Sequence, residues 1–282
     1  MHTWLSDGAL PPAAVADLAV QAGLTHIAVT DHDTLAGSDA LRAAQTGLRV
    51  IPGVELSMRE RPELHLLAYG LTPGAGLRSR LNVLARKREE RAWEMIRRLR
   101  ALGRDITEEQ VRAHSRGSIG RPHLARALVA AGCAGTVQEA FDRWLGEGRP
   151  AWVPCERMDM GEALRLLRAE GWIGVLAHPR TLALPDSLLE SLLREWKEQG
   201  LAGVEVYHPS AAGGAGFVPL DRMVRRLGLL VTGGSDFHAE ADDRHGRPGC
   251  MTARWEEAEE DMKALLQRME ERRTETGIPG RT

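Results

Sequence analysis

The stretch HIAVTDH, residues 26–32, shows the pattern on which the chain is built: an apolar run ends in an aspartate and a histidine. Five further apolar runs carry a histidine or a carboxylate in the same way: RVIPGVELSM (49–58), ELHLLAYG (63–70), WIGVLAHP (172–179), AGVEVYH (202–208) and LLVTGGSDFH (229–238). Polar side chains at strand ends lie on the rim of a sheet or barrel, where several strand ends converge. The repetition therefore predicts a multinuclear metal site at one rim.

Helical patterns alternate with these strands. We predict helices over residues 11–22 (opened by Pro11 and Pro12), 36–45, 161–170, 185–199, 218–227 and 255–272, with a frayed tail after Thr274. Such alternation is typical of a parallel α/β sheet or barrel.

Residues 74–158 differ from the rest of the chain because they form helical patterns rich in Arg and Glu, with AWVP (151–154) as the one weak strand signal. One α/β barrel built from residues 1–73 and 159–282 fits this organisation better than two independent domains. We expect residues 74–158 to be a helical insertion that forms a lid over the substrate.

Composition excludes several classes of function. With 43% hydrophobic residues in 282, the chain can bury the core of one large domain. A net charge of −2 and 4% aromatic residues provide neither a basic face nor stacking platforms, so no DNA-binding surface is expected. No stretch reaches transmembrane length, which predicts a cytoplasmic protein without a membrane contact, and no feature indicates a protein partner. Cys133, Cys155 and Cys250 lie outside any CxxC motif, which argues against disulfides and a thiol nucleophile.

The candidate ligands are imidazoles and carboxylates without a thiolate, a set that suits Mn, Zn or Fe in a hydrolase. Glu55 follows an apolar strand and a glycine, so its carboxylate can bridge two cations. Five other residues can complete the coordination of two or three ions: His32, His65, His178, Asp236 and His238. Such a cluster lowers the pKa of a bridging water and contacts both the attacking and the leaving oxygen of a phosphoester.

Five motifs carry a specific resemblance: HTWLSDG (2–8), TDHD (30–33), GVE (53–55), AHP (177–179) and GSDFH (234–238). Together they resemble the polymerase and histidinol phosphatase (PHP) family of metal-dependent phosphoesterases. The similarity is closest to the branch that removes the 3′-phosphate from 3′,5′-nucleoside bisphosphates and trims short RNA from the 5′ end. The resemblance implies a distorted (β/α)7 barrel of the α/β class, a helical insertion and two to three divalent ions, Mn²⁺ before Zn²⁺ or Fe²⁺.

Position by position, the resemblance implies eight metal ligands: His2, Asp7, His32, Glu55, His65, His178, Asp236 and His238. It gives Asp7, His32 and His238 the catalytic positions. The opening motif of the family is a strand that ends in His-x-His, but here Met1 occupies the middle position and the first histidine has no counterpart. Either the start is placed too late in the reading frame or one ligand is lost. We expect the first, because losing the leading strand would also remove a strand of the barrel.

The insertion supplies candidate substrate residues in RKREERAWEMIRRLRALG (86–103). Arg88 and Arg91 are three residues apart on a helical pattern, so both guanidinium groups can bind one phosphate. The alternative is a solvated helix with surface salt bridges. The resemblance favours phosphate binding, because the corresponding helix of the family faces the metal cluster.

A second candidate anion site lies in IGRPHLARALV (119–129), where Gly120 and Pro122 open a helix that carries Arg121 and His123 in its first turn. The alternative for His123 is packing against the barrel. His208, at the end of a strand, is expected to touch substrate or to support a metal ligand. His26, His114 and His245 lack supporting neighbours and are interpreted as ordinary residues.

The leading hypothesis is hydrolysis of the 3′-phosphate of a 3′,5′-nucleoside bisphosphate by a metal-bridging hydroxide, with a small nucleotide or the 5′ end of a short RNA as substrate. Histidinol phosphatase, or another small-metabolite phosphatase on the same scaffold, is the alternative within the hydrolases, because the metal ligands serve all of these substrates alike. A degenerate, non-catalytic metal-binding domain is the alternative outside them. The missing histidine favours it and the retention of every other ligand opposes it.

Overall fold

The computed structural model describes the chain except residues 45–46, 72–73, 116, 118, 212–215, 241–245, 252–254 and 278–282, so His245 lies outside the described residues. Six strands form one curled sheet in the order of the sequence: β1 (His26–Val29), β2 (Arg49–Ser57), β3 (His65–Tyr69), β4 (Ile173–Leu176), β5 (Leu201–Tyr207) and β6 (Leu230–Gly233). All six predicted strand regions are confirmed. A seventh strand has no counterpart among the described residues.

The sheet is mixed, and the prediction of a parallel sheet is wrong for one strand. β1 and β2 are parallel, as are β4, β5 and β6, but β3 is antiparallel to both of its neighbours. The chain between β2 and β3, residues 58–64, is too short for the crossover that a parallel pair requires. As a consequence the first residue of β3, His65, lies opposite Ser57 at the end of β2.

Helices of the barrel follow the predicted rhythm: α1 (Pro12–Gln21), α2 (Ala36–Ala43), α7 (Met160–Ala169), α8 (Asp186–Gln199), α9 (Phe217–Arg226) and α10 (Ala258–Thr276). Proline in the first turn of α1 costs no hydrogen bond, since that amide has no partner within the helix. Asp159 caps α7 by accepting a hydrogen bond from the Glu162 amide at 2.7 Å. The final helix continues to Thr276, two residues beyond the predicted start of the frayed tail. No helix in the described parts of the chain is long and apolar enough to cross a membrane.

Between β3 and α7 the chain is helical: α3 (Ala75–Ala101), α4 (Glu108–Arg112), α5 (Arg121–Ala130) and α6 (Val137–Ala140), followed by a π-helical turn at Phe141–Leu145. The weak strand signal at residues 151–154 forms no strand. Side chains from residues 92–151 build a hydrophobic cluster separate from the cluster that packs on the sheet. The exact boundaries of the insertion and its role as a lid remain predictions.

The first residues of the chain connect the two outer strands of the sheet at one end only. The Thr30 amide donates to the Met1 carbonyl at 2.9 Å, and the His2 amide donates to the Phe237 carbonyl at 2.8 Å. Further down, the outer edges of β1 and β6 have no strand partner among the described residues. A cleft of about 670 Å³, mostly apolar and lined also by α10, separates them.

Because this cleft separates two strand edges without a strand partner in the described part of the chain, we predict that an extended segment placed ahead of Met1 will stabilise the protein. A five-residue segment of alternating valine and threonine, fused before Met1, is expected to pair with both edges and to raise the midpoint of thermal unfolding by roughly 3 °C or more, since each net hydrogen bond contributes about 1 kcal/mol. The control is a segment of equal length with prolines at alternate positions, which lacks the amide donors at those positions. Equal unfolding midpoints for the two fusions would contradict the prediction.

Candidate metal centre

Imidazole and carboxylate side chains from several strands and loops meet at one rim of the curled sheet. The antiparallel direction of β3 is necessary for this, because it brings the start of that strand to the same rim as the ends of β2 and β4. The segments contribute as follows: His2 and Asp7 from the first residues, His32 after β1, Glu55 in β2, His65 in β3, His178 after β4, His208 after β5, and Asp236 and His238 after β6.

Seven of the eight predicted ligands form three groups in which the ligand atoms lie within 4.8 Å of one another. The groups are His2, Asp7, His32 and His238; His32, Glu55 and His65; and His2, Glu55 and Asp236. Each pair of groups shares one residue. His178, the eighth predicted ligand, joins them through its Nε2, which lies 3.1 Å from Glu55 Oε1. We refer to these eight residues as the ligand cluster.

Glu55 is the centre of the ligand cluster and is 2% exposed. Its Oε1 lies 2.7 Å from His65 Nδ1, and its Oε2 lies 2.9 Å from His2 Nε2. Burial opposes the ionised form, but the neighbouring His32 and His65 hold the pKa of Glu55 well below its usual range. The ionised carboxylate therefore has two oxygens directed at different imidazoles, which is the geometry that a bridging ligand needs.

The hydrogen bonding of the buried imidazole nitrogens shows whether these residues fit a cation. Both ring nitrogens of His2 and Nδ1 of His32 are buried and form no hydrogen bond of acceptable geometry. Carboxylate oxygens nevertheless lie close to the two His2 nitrogens: Asp7 at 3.5 Å from Nδ1, and Glu55 and Asp236 at 2.9 and 3.1 Å from Nε2. Unsatisfied buried polar atoms are costly and uncommon. A divalent cation between imidazole and carboxylate would satisfy both groups, so this donor set fits divalent metal.

Strained backbone accompanies the ligands. Asp33, His178 and Asp236 have φ values of 52°, 27° and 49°, a left-handed region that non-glycine residues rarely adopt. The surrounding structure holds them there: the Asp33 amide donates to the Glu55 carbonyl at 2.8 Å, and the His178 amide donates to Glu205 Oε2 at 3.0 Å. The fold thus holds the backbone of these residues in a conformation that an isolated loop would not keep.

Two supporting carboxylates were missed by the sequence analysis. Asp31 accepts hydrogen bonds from the Thr3 amide at 2.7 Å and from the Ser6 hydroxyl at 2.6 Å, and so fixes the segment that carries two ligands. Glu205 supports the backbone at His178. Asp31 stands within TDHD and was therefore detectable, whereas Glu205 stands inside the run AGVEVYH, from which only His208 was selected.

A pocket of about 250 Å³, here called the basic pocket, opens beside the ligand cluster. It shares Asp7, His32 and His65 with the cluster. Four of the five predicted substrate residues line it, together with two residues that the sequence analysis did not select: Arg88, Arg91, Arg121 and His123, with Cys155 and Arg157. The fifth predicted substrate residue, His208, lies elsewhere, with its Nε2 3.5 Å from Asp236 Oδ2.

The residues of the basic pocket are held by their neighbours. Arg88 forms a buried ion pair with Asp33, and Arg91 Nε donates to the Val153 carbonyl at 2.6 Å. His123 Nδ1 accepts the Gly120 amide at 3.0 Å, so the neutral ring carries its proton on Nε2. Burial and nearby cationic groups lower the pKa of His123 to about 4, which keeps the ring neutral.

Metal binding is predicted to release protons. Burial disfavours charged His178, but its hydrogen bond to Glu55 outweighs burial and raises its pKa to about 9. Burial likewise disfavours charged His2, but the nearby Glu55 and Asp236 carboxylates outweigh burial and raise the pKa of His2 well above its usual range. Both rings are therefore protonated at pH 7.5 without metal, and ligation requires the neutral form.

Apparent metal affinity should accordingly rise with pH until about pH 9, the pKa of His178. Titration calorimetry of Mn²⁺ at pH 7.5, in two buffers of different ionisation enthalpy, is expected to show release of at least about one proton per chain. The His178→Asn variant should release fewer. Binding heats that do not depend on the buffer would contradict this prediction.

Glu55 belongs to two of the three groups, so its substitution is predicted to lower the metal content of the protein. We expect two to three ions per chain in the purified protein, and Glu55→Gln is expected to remove at least one, since the amide keeps the shape of the side chain without its charge. Elemental analysis measures this loss. Glu60→Gln on the loop after β2 is the matched control and should keep the full metal content; equal content in all three proteins would show that Glu55 is not a ligand.

Comparison with known proteins identifies the family of the chain. The PHP domain family matches residues 1–145. A 3′,5′-nucleoside bisphosphate phosphatase of Chromobacterium violaceum is 31% identical over 253 residues, which cover 86% of this chain and 86% of that protein. A 5′-3′ exoribonuclease of Haemophilus influenzae is 30% identical over 241 residues, which cover 84% of this chain and 88% of that protein.

The solved structure of an inferred metal-dependent phosphoesterase from Bifidobacterium adolescentis is 30% identical and superposes with a TM-score of 0.78, covering 95% of this chain and 94% of that one. The likeness therefore extends through the barrel and the helices between β3 and α7. The chain belongs to the PHP family and is a metal-dependent hydrolase of phosphate esters.

Proposed function

We propose that the protein hydrolyses the 3′-phosphate of 3′,5′-nucleoside bisphosphates and also trims short RNA from its 5′ end. One observation carries this proposal: a pocket rich in guanidinium groups opens directly beside a cluster of metal-ligating side chains. Each of these two places suits a phosphate, one by charge-assisted hydrogen bonds and the other through divalent ions. A substrate with two phosphates can occupy both at once.

The 5′-phosphate is proposed to bind in the basic pocket through Arg88, Arg91, Arg121 and His123. His123 is neutral with its proton on Nε2, so it can donate a hydrogen bond to a phosphate oxygen. Arginine presents paired donors whose geometry matches phosphate oxygens. Binding the distant phosphate contributes to catalysis because it positions the reacting phosphate at the ligand cluster.

The 3′-phosphate is proposed to lie at Asp7, His32 and His238, where the pocket and the cluster meet. Asp7 Oδ1 lies 3.3 Å from His238 Nε2, and Asp7 Oδ2 lies 3.7 Å from His32 Nε2. Burial opposes the charge of Asp7, but these histidines keep its pKa well below the usual range, so the carboxylate is ionised and ready to bind a cation. His208, 3% exposed beside Asp236, is proposed to orient that ligand or to touch the substrate.

Divalent ions held by the ligand cluster, Mn²⁺ by preference and Zn²⁺ or Fe²⁺ as alternatives, would neutralise phosphate charge and lower the pKa of a bridging water. The chain itself supplies ionised carboxylates and a fixed distance between the two phosphate sites. A metabolite with a single phosphate, such as histidinol phosphate, could use the ligand cluster but would leave the basic pocket unfilled. The basic pocket is therefore the feature that favours a bisphosphate.

Substitution of one arginine of the basic pocket tests whether the substrate is a bisphosphate. Arg88 is unsuitable, because its loss would leave the Asp33 carboxylate buried and unpaired. We expect Arg91→Ala to lower kcat/KM for adenosine 3′,5′-bisphosphate by about 2 to 3 kcal/mol in transition-state free energy, roughly 30- to 150-fold, the range for a charge-assisted hydrogen bond. The same variant should change kcat/KM for 3′-AMP by much less.

The control is Arg97→Ala, which removes an arginine that is 75% exposed on the same helix. This variant should leave kcat/KM unchanged for both nucleotides. Steady-state kinetics of both nucleotides and of histidinol phosphate in all three proteins provide the measurement. If both nucleotides lose activity equally in Arg91→Ala, or if histidinol phosphate is the best substrate, the bisphosphate assignment is wrong.

A further inference from the structure

We propose that Arg157 is a specificity-determining residue of the basic pocket, where it binds a terminal phosphate dianion together with Arg91 and Arg121. The ligand class is a nucleotide or RNA end that carries a free 5′-phosphate monoester. The identity of the nucleotide rests on the proposed function above, whereas binding of the phosphate group does not. Nothing in the spacing of the sequence indicated this residue, because it precedes α7 outside any motif.

Arg157 is held in place by the end of β2. Its Nη1 donates to the Met58 carbonyl at 3.2 Å. Met58 and Met158 form an isolated parallel bridge, and the Arg59 amide donates to the Met158 carbonyl at 2.9 Å. The backbone on which Arg157 stands is therefore tied to the barrel before any substrate arrives, and its side chain lines the basic pocket. Such preorganisation lowers the entropic cost of binding.

Three separate segments bring a guanidinium group to this pocket: Arg91 from the middle of α3, Arg121 from the first turn of α5, and Arg157 from the segment that returns to the barrel. The carboxylates that line the pocket already have partners, since Asp7 faces histidines and Asp33 pairs with Arg88. Within the described residues, no carboxylate lies at salt-bridge distance from Arg91, Arg121 or Arg157. An anion from outside the chain would complete this arrangement.

The positive charges of the basic pocket affect one another's pKa values. Burial lowers the pKa of Arg91 to about 10, and repulsion from Arg121 and Arg157 acts in the same direction. Burial and repulsion from Arg157 also lower the pKa of Arg121. All three groups remain charged at neutral pH, so they repel one another until an anion binds. A phosphate monoester, with nearly two negative charges, relieves this repulsion more than a diester with one.

Arg157 thus distinguishes between nucleotides or RNA strands that differ in the group at the 5′ position. A 5′-phosphomonoester delivers a dianion with three acceptor oxygens to three guanidinium groups. A 5′-hydroxyl delivers no charge, and an internal phosphodiester delivers one charge and fewer free oxygens. The proposal therefore predicts preference for 5′-monophosphorylated ends over 5′-hydroxyl ends.

The test uses Arg157→Gln, which keeps a polar amide but is neutral, and Arg157→Lys, which restores the charge without the paired donors. Arg59→Ala is the control: it removes a neighbouring arginine whose side chain is 62% exposed. The first measurement is calorimetric binding of inorganic phosphate to chelator-treated, metal-free protein at pH 7.5. We expect at least about tenfold weaker binding in Arg157→Gln, partial recovery in Arg157→Lys, and no change in Arg59→Ala.

The second measurement is kcat/KM of the Mn²⁺-loaded enzymes. Arg157→Gln should lose at least about tenfold with adenosine 3′,5′-bisphosphate and stay within about twofold of wild type with 3′-AMP. Unchanged phosphate binding, or equal losses for both nucleotides, would overturn the proposal, since a purely structural role affects both substrates alike. If wild type hydrolyses neither nucleotide while phosphate binding still depends on Arg157, the proposed function fails and the phosphate site stands.

Discussion

The Glu55 carboxylate, buried among imidazoles from three parts of the chain, is the interaction on which the rest of the site depends. A buried carboxylate without partners would be strongly destabilising, so the fold has to bring His2, His65 and His178 to it. Those histidines come from the first residues, from β3 and from the end of β4. The arrangement of the strands is therefore inseparable from the chemistry, because β3 and β4 both complete the sheet and bring a histidine to this one carboxylate.

Much of this could be read from the sequence, because six of the eight predicted ligands lie in a short motif beside an apolar run, and the family resemblance implied the other two, His2 and Asp7. The direction of β3 was predicted wrongly, although the short connection at residues 58–64 already excluded a parallel pair. Arg157 and Glu205 were missed for a different reason. Their roles depend on contacts between distant segments, such as Met58 with Met158 and His178 with Glu205, and no local pattern records such an approach.

Net charge was a poor guide to the site, because opposite charges are separated within it. The ligand cluster concentrates carboxylates and the basic pocket concentrates guanidinium groups, so a total of −2 conceals two strong local fields. Divalent ions would reverse the sign of the field at the ligand cluster, after which both places attract phosphate. An anion would then be attracted to a chain whose overall composition is slightly acidic, and under the proposed function the selectivity would reside in the distance between the two places.

That distance is fixed by the ion pair of Arg88 with Asp33. Asp33 is 3% exposed, adopts a left-handed conformation next to the ligand His32, and accepts the Ser57 amide at 3.0 Å. Helix α3 cannot move away from the barrel without leaving this carboxylate buried and unpaired, which typically costs several kcal/mol. The helix that carries Arg91 is thereby tied to the loop that carries the predicted ligand His32. Under the proposed function, this connection would hold the two phosphate sites at a fixed separation, so a substrate would be selected by the distance between its two phosphates, whereas a mobile insertion would accept many distances.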